Sequence, residues 1–268
     1  MLIFLGVIVF VIFIHEMGHL LAARAVGVKA DAFSIGFGKV LLKKTMFGTE
    51  WRLSLLPLGG YVKLRGDTDF DNTANDPHSF WAASPWRRAL IAVAGPVTNL
   101  LLAWPLYFMM LVGQPYPDVV TPQGATPARI GVIEAADYAH RISVKVYKDI
   151  WKAVTNRPKT ANVGLKDLGG PAAVYQITEQ AAELSEKTGD WGFLIDWIVF
   201  LSINLGVINL LPIPILDGGH VTMNLYEGIT RHSISAKTRN ILNIVGALMV
   251  FALMALAIAS DVIRIGGF

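Results

Sequence analysis

The sequence predicts an all-α polytopic membrane protein with four transmembrane helices. Hydrophobic residues make up 53% of the 268 residues and charged residues only 16%. A mean hydropathy of +0.49 is too high for a chain whose whole surface faces water. Four apolar stretches are long enough to cross a hydrocarbon core of about 30 Å, which takes roughly 20 helical residues. The absence of cysteine excludes disulfides, thiol nucleophiles and Cys-ligated metals.

The predicted spans differ in how they begin and end. The first, from Leu2 to about Ala23, is apolar from its start and has no Lys or Arg before Arg24. A cleaved signal peptide begins with basic residues, so we expect this segment to be retained. The other spans run from Ala89 to Gly113 with a break at Gly95-Pro96, from Gly192 to Leu216 with Pro212 and Pro214 near its end, and from about Ile241 to Ser260.

Basic residues near the span ends predict the orientation. They flank the connections between spans one and two and between spans three and four, whereas residues 114–191 hold no Lys or Arg before Arg129. Because cytoplasmic loops are enriched in Lys and Arg, we expect both termini and residues 114–191 outside. The small net charge of +3 gives no indication of a nucleic acid partner.

Two short strands are predicted between the first two spans, at Ala32 to Leu42 and Trp51 to Leu58, with Gly48 marking the turn. A third apolar stretch runs from Gly60 to Leu64. These features divide the chain into residues 1–113 with two spans and a small β-hairpin or sheet, residues 114–170 as a short external segment, and residues 171–268 with the last two spans. In the third part, Ala172 to Lys187 predicts an amphipathic helix on the outer membrane surface.

The first span contains an H-E-x-x-H motif, His15-Glu16-Met17-Gly18-His19. The i, i+4 spacing places both imidazoles on one face of a helix, where they can share a metal ion. Glu16 lies beside that face, close enough to take a proton from a metal-bound water. Ionisable groups inside a span are costly unless paired, so they indicate function. The alternative is a polar cluster that only bonds helices together.

A catalytic zinc ion takes three protein ligands and keeps an open position for water. Without cysteine, the third ligand must be His, Asp or Glu. Asp217 is the best placed, because it follows the third span on the same cytoplasmic side as the His pair. The remaining histidines outside this region lie in predicted aqueous loops, at positions 78, 140 and 232. His220 could be a rival ligand, but we favour a residue that orients the ligands without binding the metal, or an ordinary histidine at the membrane interface.

The prolines before Asp217 indicate a cavity at the end of the third span. Pro212 and Pro214 lack backbone N–H donors and unwind the helix, which frees carbonyl groups at membrane depth. Non-helical backbone is tolerated there only when it is buried in protein or lines a wet cavity. A simple turn at the helix end is the competing interpretation for Asp217-Gly218.

Together, these motifs resemble the site-2 protease family of intramembrane zinc metalloproteases, and in particular the bacterial regulator-of-sigma-E type. The resemblance rests on the H-E-x-x-H motif and on Asn209-x-x-Pro212-x-x-x-Leu216-Asp217-Gly218. Supporting matches are Gly59-Gly60-Tyr61-Val62-Lys63, Gly95-Pro96-Val97-x-Asn99, Gly169-Gly170-Pro171 and Gly218-Gly219-His220, spread over nearly the whole chain.

The resemblance implies a mechanism and a location. Zn²⁺ held by His15, His19 and Asp217 would activate a water as the nucleophile, with Glu16 as general base and proton donor to the leaving amine. The substrates would be single-span membrane proteins, of the anti-sigma factor type or remnant signal peptides. The protein would be a multi-pass resident of the bacterial inner membrane, with the lipid bilayer around it and the active site towards the cytoplasm.

Substrate contacts are also implied by the resemblance. Asn209, Pro212 and Pro214 match family positions that hold the substrate, although Asn209 could instead cap freed backbone. Gly60, Tyr61 and Val62 match a membrane-associated β element whose edge could bind an extended substrate by β-addition. The competing interpretation is a hairpin that only covers the mouth of the site. Gly95-Pro96 and Asn99 would kink the second span.

The external segment departs from the family pattern. Relatives of this type carry PDZ domains there, and Thr121 to Ala128 is similar to the start of one, but too little chain follows for the full fold. A degenerate or shortened PDZ region fits this length. The selection of substrates by size, which PDZ domains perform in such relatives, therefore cannot be inferred for this protein.

Three other functions are alternatives to that of an intramembrane protease. A non-catalytic pseudoprotease that binds helices is the first alternative, but it has no need of Glu16 beside two metal ligands. A zinc carrier would need ionisable groups on several spans, and the fourth predicted span has none. A diiron lipid oxidase would need more histidines than the six present.

Overall fold

The computed structural model describes residues 1–67, 76–114, 129–155 and 170–266. Four of its helices are long and apolar enough to cross a membrane, at Leu2–Ala25, Pro85–Leu111, Gly192–Asn209 and Ala236–Gly266. The prediction of a mainly helical polytopic membrane protein is confirmed. In chain order the elements are α1 (Leu2–Ala25), β1 (Ala30–Met46), β2 (Thr49–Leu64), α2 (Pro85–Leu101), α3 (Ala103–Leu111), α4 (Val132–Thr155), α5 (Pro171–Thr188), α6 (Gly192–Asn209), α7 (Asp217–Thr230) and α8 (Ala236–Gly266).

The first two spans cross closely where the H-E-x-x-H motif lies. Gly18 of α1 faces Ala94 and Thr98 of α2, and a Cβ at this position would overlap the Ala94 carbonyl oxygen. The Thr98 hydroxyl donates to the carbonyl oxygen of Ile14 at 3.1 Å. Pro96 lies within α2, which continues to Leu101. The expected break at Gly95-Pro96 is therefore wrong, and the span is interrupted at Leu102 between α2 and α3 instead.

The sheet between the first two spans consists of two long strands, whereas the sequence predicts two short strands followed by a third apolar stretch. β1 and β2 form an antiparallel pair joined at Phe47-Gly48. Both strands bend, so that Ala32 to Ile35 has Glu50 to Leu53 as neighbours on one side and Gly60 to Lys63 on the other. The third apolar stretch is thus the second half of β2. Phe33, at the centre, packs against Phe13 of α1 and Trp51, which attaches the sheet to the first span.

The third span ends earlier than the sequence predicts. α6 stops at Asn209, and residues 210–216 form an irregular turn in which Ile215 has a φ of 83°. This turn packs tightly on its surroundings, because the Pro214 carbonyl abuts Gly246 of α8 and the Ile213 carbonyl abuts Gly219. α7 then begins at Asp217, an element the sequence analysis did not anticipate. The prolines end the helix as expected, but the Asp-Gly-Gly sequence starts a new one.

Residues 114–170 contain a helix that was also not predicted. α4 packs against α3 and α6 through a cluster that includes Ala139, Tyr107 and Ile203, and the Tyr147 hydroxyl donates to the Leu100 carbonyl oxygen. His140 lies exposed on this helix, within the connection between the second and third spans. The predicted PDZ-like start at 121–128 and Gly169 lie outside the described residues.

The predicted amphipathic helix at 172–187 corresponds to α5. It lies across the ends of three spans: Tyr175 stacks edge-on against Phe4 of α1, and the Thr178 hydroxyl accepts from the Trp197 indole of α6 at 2.8 Å. The Asp261 carboxylate of α8 accepts from the backbone N–H of Ala172 at 2.8 Å. α5 therefore ties together the ends of α1, α6 and α8.

Candidate metal centre

The structure brings His15 and His19 of α1 together with Asp217, the first residue of α7. The His15 Nε2 lies 3.0 Å from the Asp217 Oδ2, and the His19 Nε2 lies 3.4 Å from the same oxygen. The two Nε2 atoms are 3.3 Å apart. Three groups that accept hydrogen bonds therefore converge on one point, an arrangement that requires a proton or a cation between them.

The spacing of these atoms fits a tetrahedral ion. Ligands held at about 2.05 Å from a tetrahedral zinc ion lie about 3.3 Å from one another. The three observed separations, from 3.0 to 3.4 Å, form such a triangle. Among the described residues, this is the one group of three or more His, Asp or Glu side chains with ligand atoms close enough to hold a metal. Two imidazoles and a carboxylate are a donor set that zinc accepts, with a fourth position left open.

Both imidazoles are oriented by contacts on the side away from this point. The His19 Nδ1 lies 2.8 Å from the Ile91 carbonyl oxygen of α2, so it carries the proton and leaves Nε2 free as a ligand. The His15 Nδ1 lies 3.3 Å from the side-chain amide of Asn99, also on α2. Gly95 makes room for the His19 ring, because a Cβ there would overlap it. The predicted kink residues Gly95 and Asn99 thus contact the histidines.

A cavity of about 350 Å³ opens beside the three side chains. Glu16 and Val62 both line it, and a Cβ on Gly60 would touch the Glu16 side chain. Tyr61 and His220 also line the cavity. The second half of β2 therefore forms one wall of the cavity and lies directly against Glu16.

The remaining predicted site residues are placed differently. The Asn209 side-chain amide lies 3.4 Å from the His15 Nε2, at the point where the ligand atoms converge. Neither Pro212 nor Pro214 is among the described residues that line the cavity. Pro214 instead packs against α8, which indicates a part in shaping the turn.

Two groups on α7 have shifted pKa values. Burial raises the pKa of Asp217, but the close approach of the His15 and His19 imidazoles outweighs it and brings the pKa below its ordinary value, so the carboxylate is ionised. Burial lowers the pKa of His220, which keeps this imidazole neutral at pH 7. An ionised carboxylate is the state in which Asp217 would bind zinc.

A second buried polar cluster, which the sequence analysis missed, lies next to the cavity. The Glu227 carboxylate of α7 accepts from Arg88 of α2 at 2.7 Å and from Arg239 of α8 at 2.8 Å. The two guanidinium carbons lie 4.8 and 4.6 Å from the Trp81 ring. These four side chains are called the guanidinium clasp below. Trp81 and Arg239 line both the metal cavity and a second cavity of about 650 Å³.

Comparison with known proteins agrees with this geometry. The family model described as peptidase family M50 matches residues 3–253. The chain belongs to peptidase family M50. This is the zinc-dependent site-2 protease family, so zinc is the cofactor to which the donor set corresponds. The resemblance inferred from the motifs is therefore confirmed.

Three relatives cover nearly the whole chain, and each bears the name of a candidate zinc metalloprotease. The protein from Campylobacter jejuni is 32% identical over 97% of this chain and 92% of its own length. The proteins from Rickettsia conorii and Clostridium acetobutylicum are 28% and 29% identical, over 97% and 94% of both chains. The Campylobacter alignment spans 348 positions against 268 residues, so that relative has segments this chain lacks.

Proposed function

We propose that the protein is an intramembrane zinc metallopeptidase that hydrolyses peptide bonds in or near the transmembrane segment of single-span membrane proteins. The observation that carries this proposal is the convergence of His15, His19 and Asp217 beside Glu16, at the wall of a cavity between membrane-spanning helices. A site that only bonds helices together needs neither three converging acceptors nor a cavity beside them.

Each of these side chains has a role in the proposal. His15, His19 and Asp217 hold the zinc ion, which when bound polarises the scissile carbonyl and makes water more acidic. Glu16 takes a proton from the attacking water as its oxygen bonds to the carbonyl carbon. The same carboxyl group then delivers the proton to the leaving nitrogen as the C–N bond breaks. His220 stays neutral and helps to orient the zinc ligands without binding the metal itself.

Asn209 is proposed to hold the substrate carbonyl rather than to cap its own helix. Its side-chain amide lies beside the His15 Nε2, which is where a reacting carbonyl would have to lie. An amide N–H donates to the oxygen on which negative charge develops, and one such donor is worth about 10²–10³ in rate. Pro212 and Pro214 would then act indirectly, because they fix the turn that carries Asn209 and Asp217.

The second half of β2 is proposed as the place where substrate binds. A peptide bond in a transmembrane helix is protected by its own hydrogen bonds, so the substrate must be extended before attack. Gly60 to Val62 pair with β1 on one side and line the cavity on the other. An extended segment could add to this edge through backbone hydrogen bonds, with little dependence on its side chains.

In the proposed topology the protein crosses a bacterial inner membrane, and both termini and residues 114–191 lie on the side away from the cytoplasm. It rests on the Lys and Arg residues near the span ends. α5 supports it, because it connects the start of α1, the start of α6 and the end of α8, which this topology places at one surface. The metal centre then lies in the cytoplasmic half.

A paired measurement of zinc and cleavage tests the proposal. The wild type and Glu16→Gln would be purified in detergent, analysed for bound zinc and incubated with a model single-span substrate. We expect about one zinc per chain in both proteins and cleavage only by the wild type, with the variant slower by about 10²–10⁴-fold. Equal cleavage by both would remove Glu16 as the base. Zinc without cleavage of any single-span substrate would favour the pseudoprotease.

A further inference from the structure

Asn99 occupies a position that the proposed chemistry has not yet used. It lies on α2, its side chain is fully buried, and its amide nitrogen is 3.3 Å from the His15 Nδ1. The Ser202 hydroxyl of α6 donates to the Asn99 backbone carbonyl at 2.9 Å, which fixes this residue between α1 and α6. The Asn99 Oδ1 is buried and has no hydrogen-bond partner among the described residues.

The surroundings of His15 determine which ring nitrogen binds the metal. Nε2 faces the Asp217 carboxylate, the His19 Nε2 and Asn209. Nδ1 faces only Asn99 among the described residues. Nε2 is therefore the ligand atom, and a neutral imidazole that binds through Nε2 carries its proton on Nδ1.

A protonated Nδ1 needs an acceptor, and the amide oxygen of Asn99 is the group that can supply one. The nitrogen and oxygen of a side-chain amide exchange places when the amide turns by half a revolution, and their assignment follows from the hydrogen-bond network. With the Asn99 Oδ1 turned towards His15, the unpartnered oxygen gains a donor and the imidazole gains its acceptor. The His19 Nδ1 already has the equivalent partner in the Ile91 carbonyl oxygen.

We infer that Asn99 is a positioning residue that holds His15 in its zinc-binding tautomer by accepting a hydrogen bond from Nδ1–H. The inference rests on the proposed function, because it takes His15 as a zinc ligand. Partners of this kind fix the ring orientation and make the ligand nitrogen more basic, and their loss typically weakens metal binding 10–100-fold. Asn99 thus does for His15 what a backbone carbonyl does for His19.

Two substitutions that keep the branched shape of the side chain separate this role from packing. Asn99→Leu replaces the amide oxygen and nitrogen with bulkier methyl groups and so removes the acceptor, whereas Asn99→Asp keeps an acceptor and removes the donor. Zinc affinity of the full chain in detergent would be measured by competition with a chelator. Cobalt-substituted protein would report the ligand field by its visible absorption. Thr98→Val is the matched control, because it deletes a partly buried hydrogen bond between α1 and α2 one residue away without touching an imidazole.

We expect Asn99→Leu to weaken zinc binding 10–100-fold, and Asn99→Asp and Thr98→Val to stay within about threefold of the wild type. The cobalt spectrum should change in Asn99→Leu alone. Wild-type affinity in Asn99→Leu would overturn the inference, and so would a loss in Asn99→Asp as large as that in Asn99→Leu. If Asn99→Leu does not fold, a tenfold loss in Asn99→Asp alone still contradicts it.

A His15→Ala variant distinguishes failure of the inference from failure of the proposed function. If the wild type and His15→Ala hold zinc equally well, His15 is not a ligand and both ideas fall. If His15→Ala loses zinc but Asn99→Leu does not, the proposed function stands and only the role of Asn99 is wrong.

Discussion

The metal centre and the guanidinium clasp each include a carboxylate of α7 but have opposite charge balances. Asp217 belongs to the first, and Glu227 belongs to the second, about three turns further along the helix. At the metal centre, one carboxylate and two imidazoles present acceptors to one another. In the clasp, two guanidinium groups donate to one carboxylate and lie against Trp81.

This difference explains which cluster serves function and which serves the fold. In the clasp, both guanidinium groups pair with the Glu227 carboxylate, which links α2, α7 and α8 at the edge of the cavity. The metal centre brings three acceptors to one point, so its side chains are arranged for a cation. We therefore expect substitutions at the first cluster to change zinc and activity, and substitutions at the second to change stability.

The largest expected effect comes from Asp217→Ala. Removal of a zinc ligand should weaken zinc binding by more than the 10–100-fold typical of residues behind the ligands, and cleavage should be lost. The unfolding temperature of the metal-free protein should change little. Bound zinc, cleavage and thermal unfolding would be measured together.

His220→Ala is the matched variant for Asp217→Ala. It removes the imidazole one turn away that lines the same cavity, and it should keep most of the zinc. If zinc were instead lost in His220→Ala and kept in Asp217→Ala, the two residues would have to exchange roles.

The next effect in size is expected from Glu227→Ala in the clasp. Removing the carboxylate leaves two buried guanidinium groups unpaired, and breaking a buried pair in this way costs about 3–5 kcal/mol in the free energy of unfolding. The remaining folded protein should still bind one zinc. Asp31→Ala is the control, because Asp31 pairs with Arg65 at the same 2.7 Å but at the surface, where such pairs contribute about 0–1 kcal/mol. Equal destabilisation by both variants would contradict a structural role for the clasp.

The smallest of the three effects is expected from Gly95→Ala. The new methyl group would press on the His19 ring, which should weaken zinc binding severalfold with a moderate loss of stability, about 1–3 kcal/mol as for other overpacked sites. Gly6→Ala on α1 has open space around it and should be neutral or slightly stabilising. Chelator competition on both variants would show whether the α1–α2 contact serves the ligands or only the packing.

The sequence predicted the parts of the fold that depend on local patterns. Hydropathy identified the four spans, and the spacing of His15 and His19 placed both rings on one helix face. The end of α6 and the start of α7 were missed, because Pro212 and Pro214 predict a break in the helix but not the new helix that begins after it. α4 was missed since its apolar residues, Ala135, Ala139 and Ile142 among them, form a stripe at helical spacing without high hydropathy.

The contacts between distant residues could not be derived from the sequence. Arg88 and Glu227 are 139 positions apart, and no local pattern links a basic residue at a span end to an acidic residue on a helix that was not anticipated. Asn99 was noted as part of a motif, but its contact with His15 depends on how closely α1 and α2 cross. Gly18 and Gly95 permit that crossing, which is a signal that could have been used.

The central claim is that two imidazole nitrogens and one carboxylate oxygen bind a single zinc ion. X-ray absorption at the zinc edge of the purified protein tests this most directly. We predict two nitrogen ligands at about 2.0–2.1 Å with imidazole scattering and oxygen ligands at about 2.0–2.2 Å. In Asp217→Ala any residual zinc should show an altered first shell. A spectrum with one imidazole or none, or one that is unchanged in Asp217→Ala, would contradict the account.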